Sequence, residues 1–491
     1  MKTLARILGG AVLMTLAIAA ACGGSDSPTA SPSDSATPSP TPTLSPNIRT
    51  PGPTSSPPVT DYRLIYREYT AQEDVIWSAP LDAPDQREEV LRIAHRDGYG
   101  VKAVLSPDST YLAYLSLPEN AVSTDSSQGE AYVIDLASTD REPTLLAAGI
   151  DYNYTPLWSP DSHLLYMRQY AGPEFLAANV IIVRVAVSRV DPKAKTPTPT
   201  PTLAPGIAPA PTVDPVEVVL KDSVAHVLSF APIGFSDDKK SMFFVQEEGG
   251  TEGATLVGIY SPATTDAVDA FHKGVESSWY DAQRANQQAI DDANANGQPL
   301  PETTITPVPS PVPDSRFVVQ LSDQAAFDCA LSGDQHKVAY LSQAFDDNGE
   351  IHNELFVADI VEATANPFGV GGVSGGDFLR PVWHPDGRLT AGLLSATGGP
   401  GQIIVAALDG SDLQYLVQPA SGFDSPISWA PDGSWLAVQH NDGSSLANPG
   451  ASHVELVAST GQRLVVPSTD NGTEDSVVGW AKVDAIPTPA P

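Results

Sequence analysis

The sequence predicts an all-β fold in which one four-stranded unit is repeated around a closed ring, a β-propeller. Three observations lead to this prediction. A short phrase, typified by WAPDGSWLAVQ at Trp429–Gln439, recurs along the chain. The copies keep one period once two insertions are set aside. Each unit also contains short runs in which apolar and polar residues alternate, and a period near 50 residues with four short strands is typical of a propeller blade.

The phrase has six copies, and each contains an aspartate that marks its position: Asp108, Asp161, Asp238, Asp334, Asp386 and Asp432. Successive aspartates are 53, 77, 96, 52 and 46 residues apart. Setting aside 25 residues at 191–215 and 48 residues at 266–313 shortens the two long intervals to 52 and 48. Proline fixes φ, aspartate accepts hydrogen bonds from nearby amides, and Gly or Ser tolerates the corner. The phrase therefore predicts a tight turn between the innermost and second strands of each unit.

The two ends of the chain complete the ring in this prediction. Three strand patterns, beginning at Arg63, Asp74 and Glu88, precede the first turn phrase. One further pattern, SVVGWAKV with Trp480, follows the last unit. Because an unpaired strand edge invites association with other chains, we expect this last strand to become the innermost strand of the first blade. This closure gives seven blades, with six or eight as alternatives.

Proline and threonine dominate the insertion at 191–215 and the end of the insertion at 266–313, which predicts disordered segments. Within the second, apolar residues recur at helical spacing between Val268 and Ile290, and Gly297 and Pro299 end the pattern. One inserted helix is predicted there. Its apolar stripe either packs on the propeller or binds a partner.

The first 60 residues predict export. Lys2 and Arg6 precede an apolar run that ends at Cys22, so residues 1–21 have the layout of a signal peptide. Residues 22–60 are rich in Ser, Thr and Pro, too poor in apolar side chains to fold, and predict an extended tether. The propeller is then expected over 61–484, with a short tail over 485–491.

Two family resemblances follow from these motifs. Units such as WSPDSHLLYM at Trp158–Met167 resemble the TolB-type (WD40-like) propeller repeat over nearly all of 61–484. The segment around Cys22 resembles a bacterial lipoprotein signal, although Ala19 stands where that family usually has Leu. The resemblance implies that Cys22 is lipidated and that the protein is anchored to the membrane by this lipid alone. Ordinary cleavage after Ala21 is the alternative.

The net charge limits the class of partner, and the cysteine content limits what can hold the domain together. The formal net charge is −33, and so acidic a surface repels nucleic acid phosphates. Cys329 is the one cysteine besides Cys22, so with a lipidated Cys22 hydrophobic packing must hold the exported domain together. We expect a monomeric binding or scaffolding module at the cell envelope or cell surface, with a protein, peptide or glycan as its partner.

Candidate binding residues are the aromatic side chains expected on the face opposite the turn phrases. Aromatic groups beside acids suit recognition of proteins, peptides and glycans. Burial in the packing between blades is the alternative for each of them. The candidates are Tyr99, Tyr152, Tyr154, Phe175, Phe345, Phe378 and Phe423.

No catalytic residue is predicted, although enzymatic activity stays open. Gly372–Gly376 (GVSGG) matches a nucleophile motif but lacks the strand before it and the helix after it. Some polysaccharide lyases with seven-bladed propellers use a His-held metal, and this resemblance implies a metal-dependent carbohydrate-active enzyme as the alternative function. No cofactor is predicted, with Ca²⁺ and Mn²⁺ left open. The weak metal candidates are five histidines without ligand spacing: His95, His226, His352, His440 and His453.

Overall fold

The computed structural model describes the greater part of the chain after residue 57, and the described part is built from antiparallel β-sheets with one short 3-10 helix, Pro84–Gln86. No helix in this part is long and apolar enough to cross a membrane. The described residues are 58, 60–118, 128–138, 141–170, 180–188, 212–213, 217–221, 228–235, 242–248, 255–260, 285, 288, 318–322, 326–345, 351–362, 364–369, 376–395, 400–468, 475–483 and 486.

The repeated unit is a four-stranded antiparallel sheet whose strands follow one another in chain order. Successive side chains of a strand point to opposite faces of its sheet, and inner strands are buried on both faces, as in Tyr111–Ser116, where all six residues are buried. Four sheets have this form: β13–β16 (Leu228–Phe235, Met242–Glu248, Thr255–Tyr260, Val318–Ser322), β17–β20 (Ala326–Leu331, Lys337–Phe345, Ile351–Asp359, Thr364–Pro367), β21–β24 (Gly376–Trp383, Leu389–Ser395, Gln402–Ala406, Gln414–Tyr415) and β25–β28 (Phe423–Trp429, Trp435–Asn441, Ser452–Ala458, Arg463–Val465).

A larger sheet combines two such groups of strands. The first group is β4–β7, and the second is β8, β9, β10 and β12, with β11 also paired to β10. A single residue pair, Ile150↔Gln169, joins the groups. The strands are β4 (Lys102–Leu105), β5 (Tyr111–Ser116), β6 (Gln128–Asp135), β7 (Thr144–Asp151), β8 (Leu157–Trp158), β9 (Leu164–Tyr170), β10 (Val180–Ser188), β11 (Thr212–Val213) and β12 (Glu217–Lys221).

The remaining sheet joins the two ends of the propeller region, and this confirms the predicted closure. Its order is β29-β1-β2-β3, with Leu64 paired to Trp480. One face of this sheet packs on β4–β6 through Ile65, and the other packs on β25–β27 through Tyr66. The strands are β1 (Tyr62–Tyr69), β2 (Glu73–Pro80), β3 (Glu88–Ala94) and β29 (Ser476–Lys482).

Each described turn phrase forms the predicted tight turn between the first two strands of its unit. Asp108 Oδ1 accepts hydrogen bonds from Ser106 Oγ at 2.7 Å and from the Thr110 amide at 2.9 Å. Ser109, at the corner, has φ 60°. The same pattern recurs at Asp161, Asp334, Asp386 and Asp432, each of which accepts from the amide two residues later. These aspartates therefore build turns. The turn at Asp238 lies outside the described residues.

Tryptophans at the ends of several innermost strands tie a unit to the one before it. Trp383 Nε1 donates to the Ala330 carbonyl at 2.9 Å, and Trp480 Nε1 donates to Ser428 Oγ at 2.9 Å. Trp429 Nε1 likewise donates to Thr390 Oγ1 at 2.9 Å. A buried indole needs such an acceptor. These contacts recur at corresponding positions and help to fix the stacking of adjacent sheets.

Two sequence predictions concern the insertions. The predicted helix lies outside the described residues, apart from Ala285 and Gln288, which are helical. The first insertion is shorter than predicted, because Thr212–Val213 at its end forms β11, paired with Val187 and Ser188. Thr and Val are strong strand formers, and the Pro/Thr bias of the segment concealed them.

Candidate functional site

The candidate binding residues lie at one end of the sheets. Antiparallel strands reverse direction at every connection, so the turns after the first strands and the loops after the second and fourth strands lie at opposite ends. We call the latter the loop end; among the described residues it includes the fourth-to-first connections 95–101 and 152–156. Tyr99 and Tyr154 lie in these two connections and are partly exposed. Phe378 is also partly exposed, beside Leu379 in β21.

Burial favours the alternative, packing between blades, for two of the seven aromatic candidates. Phe423 is 2% exposed and packs against Leu379 and Leu394 of the preceding sheet. Tyr152 is 7% exposed and belongs to the core between β4–β7 and β8–β10. Both side chains pack between blades. Phe423 is the first residue of β25, and Tyr152 directly follows the last residue of β7; at both positions the side chain faces a neighbouring sheet. Phe175 and the side chain of Phe345 lie outside the described residues.

The histidines are dispersed over several sheets. His95 is stacked on Tyr69 with ring centroids 5.3 Å apart, and its Nε2 lies 3.4 Å from the buried Asp74. Burial lowers the pKa of His95, but its interaction with Asp74 outweighs burial and raises it overall. His352 Nε2 lies 3.3 Å from Glu354 on the same strand. His226 lies outside the described residues.

Two of the five histidines are brought together. His440 on β26 and His453 on β27 are cross-strand partners, and their ring centroids are 5.1 Å apart. They belong to a buried polar network on one face of sheet β25–β28. Its other members are Asp424, Glu455 and Arg463, none of which was a sequence-based candidate.

Arg463 is the centre of this network. Its Nη1 and Nη2 each donate to Asp424, both at 2.7 Å, and its Nε contacts Glu455 Oε2. Asp424 Oδ1 also lies 2.8 Å from His440 Nδ1, and Glu455 Oε1 lies 2.9 Å from His453 Nε2. Asp424, His440 and Glu455 are 1%, 6% and 6% exposed. Paired charges with this many hydrogen bonds are the arrangement that a protein interior tolerates.

The network shifts the ionisation of its own members. Burial raises the pKa of Asp424, but hydrogen bonds from Arg463 and His440 outweigh burial and hold the pKa below its ordinary value. The hydrogen bond with Asp424 raises the pKa of His440, against the smaller effect of burial. The protonated imidazole and the ionised carboxylate therefore stabilise each other.

The same cluster contains the donor set of a cation site. Asp424, His440 and Glu455 each offer one ligand atom, and these atoms lie within 4.8 Å of one another. Imidazole and carboxylate ligands suit Mn²⁺ and Zn²⁺. However, the Arg463 guanidinium already contacts both carboxylates and supplies the positive charge that a cation would bring. A metal ion at this place would have to displace Arg463.

An arginine that is more deeply buried than Arg463 lies at the loop end. Arg168 on β9 is 5% exposed, and its Nη2 lies 3.1 Å from Oδ2 of Asp151, which is 2% exposed. The guanidinium carbon lies 3.4 Å from the centroid of the Tyr154 ring, a cation–π contact. Nε and Nη1 of Arg168 are buried and have no hydrogen-bond partner among the described residues. Within the described part of the chain, this arginine is therefore only partly satisfied.

Further cations surround the same loops. Lys102 Nζ donates to the Asn153 carbonyl at 3.3 Å and lies 5.3 Å from the centroid of the Tyr152 ring. Burial and the positive charge of Arg67 lower the pKa of Lys102. In the neighbouring connection, Arg96 lies 5.0 Å from the centroid of the Tyr99 ring. Three tyrosine–cation pairs thus lie in two adjacent loop-end connections.

Comparison with known proteins bears on the fold. No protein-family model and no curated protein sequence matches the chain. Among solved structures it is similar to TolB from Acinetobacter baumannii, with 15% identity and a TM-score of 0.36 over 72% of this chain and 66% of TolB. It is also similar to a prolyl endopeptidase (12% identity, TM-score 0.43, 83% of this chain and 49% of that one). A third match is an oligogalacturonate lyase in complex with manganese (12% identity, TM-score 0.44, 83% of this chain and 84% of the lyase).

The chain spans about two thirds of the TolB chain and about half of the prolyl endopeptidase. At such identities and TM-scores, the activities of these proteins do not transfer to this chain. The sheet order and the repeated turns described above are what define the architecture.

Proposed function

We propose that the protein is an exported, lipid-anchored, seven-bladed propeller that binds a protein, peptide or glycan partner at its loop end. The blade number follows from dividing the nine-stranded sheet at its single joining pair, Ile150↔Gln169, into two blades. With the four sheets of consecutive strands and the closing sheet, this division gives seven. The N-terminal sequence supplies the anchor, through the lipid that we expect on Cys22.

One observation supports the choice of the loop end. Tyr99 and Tyr154, both partly exposed, each lie beside an arginine there, although the chain as a whole carries a formal charge of −33. Tyrosine and arginine are the residue types enriched at the centres of binding interfaces, because they combine large apolar area with directed polar groups. Phe378, at the same end of a more distant sheet, extends the apolar component of this surface.

The experiment is a binding screen of the full chain against a glycan array and a displayed peptide library. Tyr154→Ala and Tyr99→Ala should each weaken the bound ligand about tenfold or more, since a central aromatic contributes about 2 kcal/mol or more. Val361→Ala is the control, because Val361 is 72% exposed in a third-to-fourth connection at the opposite end. Unchanged binding by both tyrosine variants, with their folding intact, would exclude the loop end as the binding surface.

A second candidate function rests on the Asp424–His440–Glu455 donor set. In that hypothesis the protein is a metal-dependent carbohydrate-active enzyme. It requires that excess Ca²⁺, Mn²⁺ or Zn²⁺ raise the melting temperature of the chelated protein, because a ligand at a hundred times its Kd adds about 2.7 kcal/mol. It also requires that the protein turn over uronic-acid polymers and that His440→Ala abolish this turnover. A melting temperature insensitive to all three ions eliminates this candidate.

A further inference from the structure

The loop end holds buried N–H donors that no described residue satisfies. Nε and Nη1 of Arg168 have no hydrogen-bond partner, and neither has Nη1 of Arg96. A buried donor without an acceptor costs about 1–3 kcal/mol, and more when it is charged. Native proteins therefore rarely leave such groups unpaired unless water, an ion or a ligand completes them.

Arg168 is held in position for such an acceptor. β9 passes the end of β7 at the Ile150↔Gln169 pair, which places Arg168 beside Asp151. The Asp151 carboxylate contacts only Nη2, and its other oxygen accepts the Asn153 amide at 3.0 Å. Tyr154 lies over the face of the guanidinium, whereas N–H groups point outward in the guanidinium plane. The unpaired donors therefore remain directed away from both Asp151 and the Tyr154 ring.

Lys102 is the second cation beside the 152–156 connection. Its ammonium is bonded to the Asn153 carbonyl, between Tyr152 and Tyr154, so it belongs to the same loop as the Arg168 contacts. Among the ion pairs of the described residues, none includes Lys102. Asp151, the nearest acid acting on it, is already paired with Arg168. Lys102 therefore contributes positive charge that its described neighbours do not neutralise.

The immediate surroundings of Arg168 and Lys102 are positive in balance. The two cations share one acidic neighbour, Asp151, and the positive charge of Arg67 also acts on Lys102. On a chain with a formal charge of −33, this excess marks a local departure from the acidic surface. Basic groups with low-dielectric surroundings concentrate an anionic ligand and strengthen its hydrogen bonds.

We propose that Arg168 and Lys102, beneath Tyr154, bind an oxyanion group of the ligand: a carboxylate, sulfate or phosphate. The group would accept from the unpaired N–H donors of Arg168 and from the Lys102 ammonium. This inference rests on the proposed function, since it names the chemical class that the loop end recognises. It also explains why an acidic protein keeps a buried, half-paired arginine at this end.

The test uses the full chain and three simple probes. Sodium sulfate, sodium phosphate and sodium acetate are titrated separately, each against sodium chloride at equal ionic strength. The readouts are the ¹⁵N–¹H resonance of Arg168 Nε and the melting temperature. We expect at least one oxyanion to shift this resonance with saturation and to raise the melting temperature above the chloride control. The anion that saturates at the lowest concentration distinguishes carboxylate, sulfate and phosphate ligands.

Variants connect the response to the residues. Lys102→Gln should weaken oxyanion binding about tenfold or more, because it removes a partly exposed cation and leaves every described ion pair in place. Arg168→Gln should abolish binding; the charge-balanced pair Asp151→Asn with Arg168→Gln should do the same if the single variant folds poorly. Arg92→Gln is the control, since Arg92 pairs with Glu73 and Glu89 on the exposed outer strands.

Three results would overturn the proposal: no oxyanion effect beyond that of chloride, a saturating effect that survives Arg168→Gln, or one that Arg92→Gln removes equally. These outcomes are separable from failure of the proposed function. If partner binding depends on Tyr154 but oxyanions have no effect, the loop end is a binding surface without an oxyanion subsite. If oxyanions bind and the array screen finds no Tyr154-dependent ligand, the subsite stands and the partner class is wrong.

Discussion

Arg463, whose side chain is 15% exposed, and Arg168, which is buried, both pair with an aspartate, yet they differ in how completely their donors are used. Arg463 contacts two carboxylates, which in turn contact His440 and His453, so the network in sheet β25–β28 is closed upon itself. Arg168 has one carboxylate partner and keeps unpaired donors. Arg463 therefore stabilises its sheet, whereas Arg168 retains donors that a ligand can use.

The largest expected effect is on stability, in the closed network. Arg463→Ala would leave Asp424 and Glu455 buried without their cation and should lower the free energy of unfolding by about 3–5 kcal/mol. Urea denaturation measures this loss. Arg92→Ala, which breaks exposed ion pairs, should change it by no more than about 1 kcal/mol. A loss below about 1 kcal/mol for Arg463→Ala would mean that the closed network contributes little to the fold.

A smaller loss is expected at the loop end. Arg168→Ala removes the partner of Asp151, but it also removes donors that are already unsatisfied. The two effects oppose each other, so we expect a net loss of about 1–3 kcal/mol by the same urea measurement. An equal loss for Arg168→Ala and Arg463→Ala would erase the distinction between the two regions, and a gain would show that Arg168 is retained against stability.

The smallest effect is a dependence of stability on pH. His440 has a raised pKa in the folded state, so its contribution is fully present below its unfolded value of about 6.5 and is lost as the pH rises through the folded value. The groups that face it are Asp424, Asp442, His453, Glu455 and Arg463. Unfolding free energies measured between pH 5.5 and 8.5 should therefore fall with pH in the wild type and fall less in His440→Asn.

The control for this profile is His163→Asn, because His163 is exposed in a turn phrase. Its profile should follow that of the wild type. If His440→Asn also follows it, the pH dependence arises outside the closed network. The opposite dependence applies to Asp424, whose lowered pKa gives stability that is present above about pH 4 and lost on further acidification.

The sequence predicted those parts of the fold that repeat. The described turn phrases, the strands that follow them and the pairing of the Trp480 strand with the first strand are confirmed, because turn chemistry and the repeat specify them. β11 was concealed because two strand-forming residues lie inside a Pro/Thr tract. Repetition thus made the architecture predictable.

The side-chain networks were not predictable in the same way. Arg463 and Asp424 are 39 residues apart and belong to the first and last strands of one sheet. Arg168 and Asp151 belong to different units. Such pairs depend on register and on sheet packing, neither of which leaves a pattern in the sequence. The sequence-based choice of aromatic residues and histidines in predicted loops included Tyr154 and His440. It did not include Arg168 and Arg463, the arginines that contact them.

The hydrogen bond from the Tyr69 amide to Asp475, together with the pairing of β1 and β29, joins positions 406 residues apart. During synthesis, strands β1–β3 are made first and must keep an unpaired edge until nearly the whole propeller has been translated. That edge is a template for wrong association throughout this interval. Because long-range pairing is slow, ring closure should be the last and slowest step of folding. If the chain is exported as we propose, assembly finishes only after the final strand has crossed the membrane.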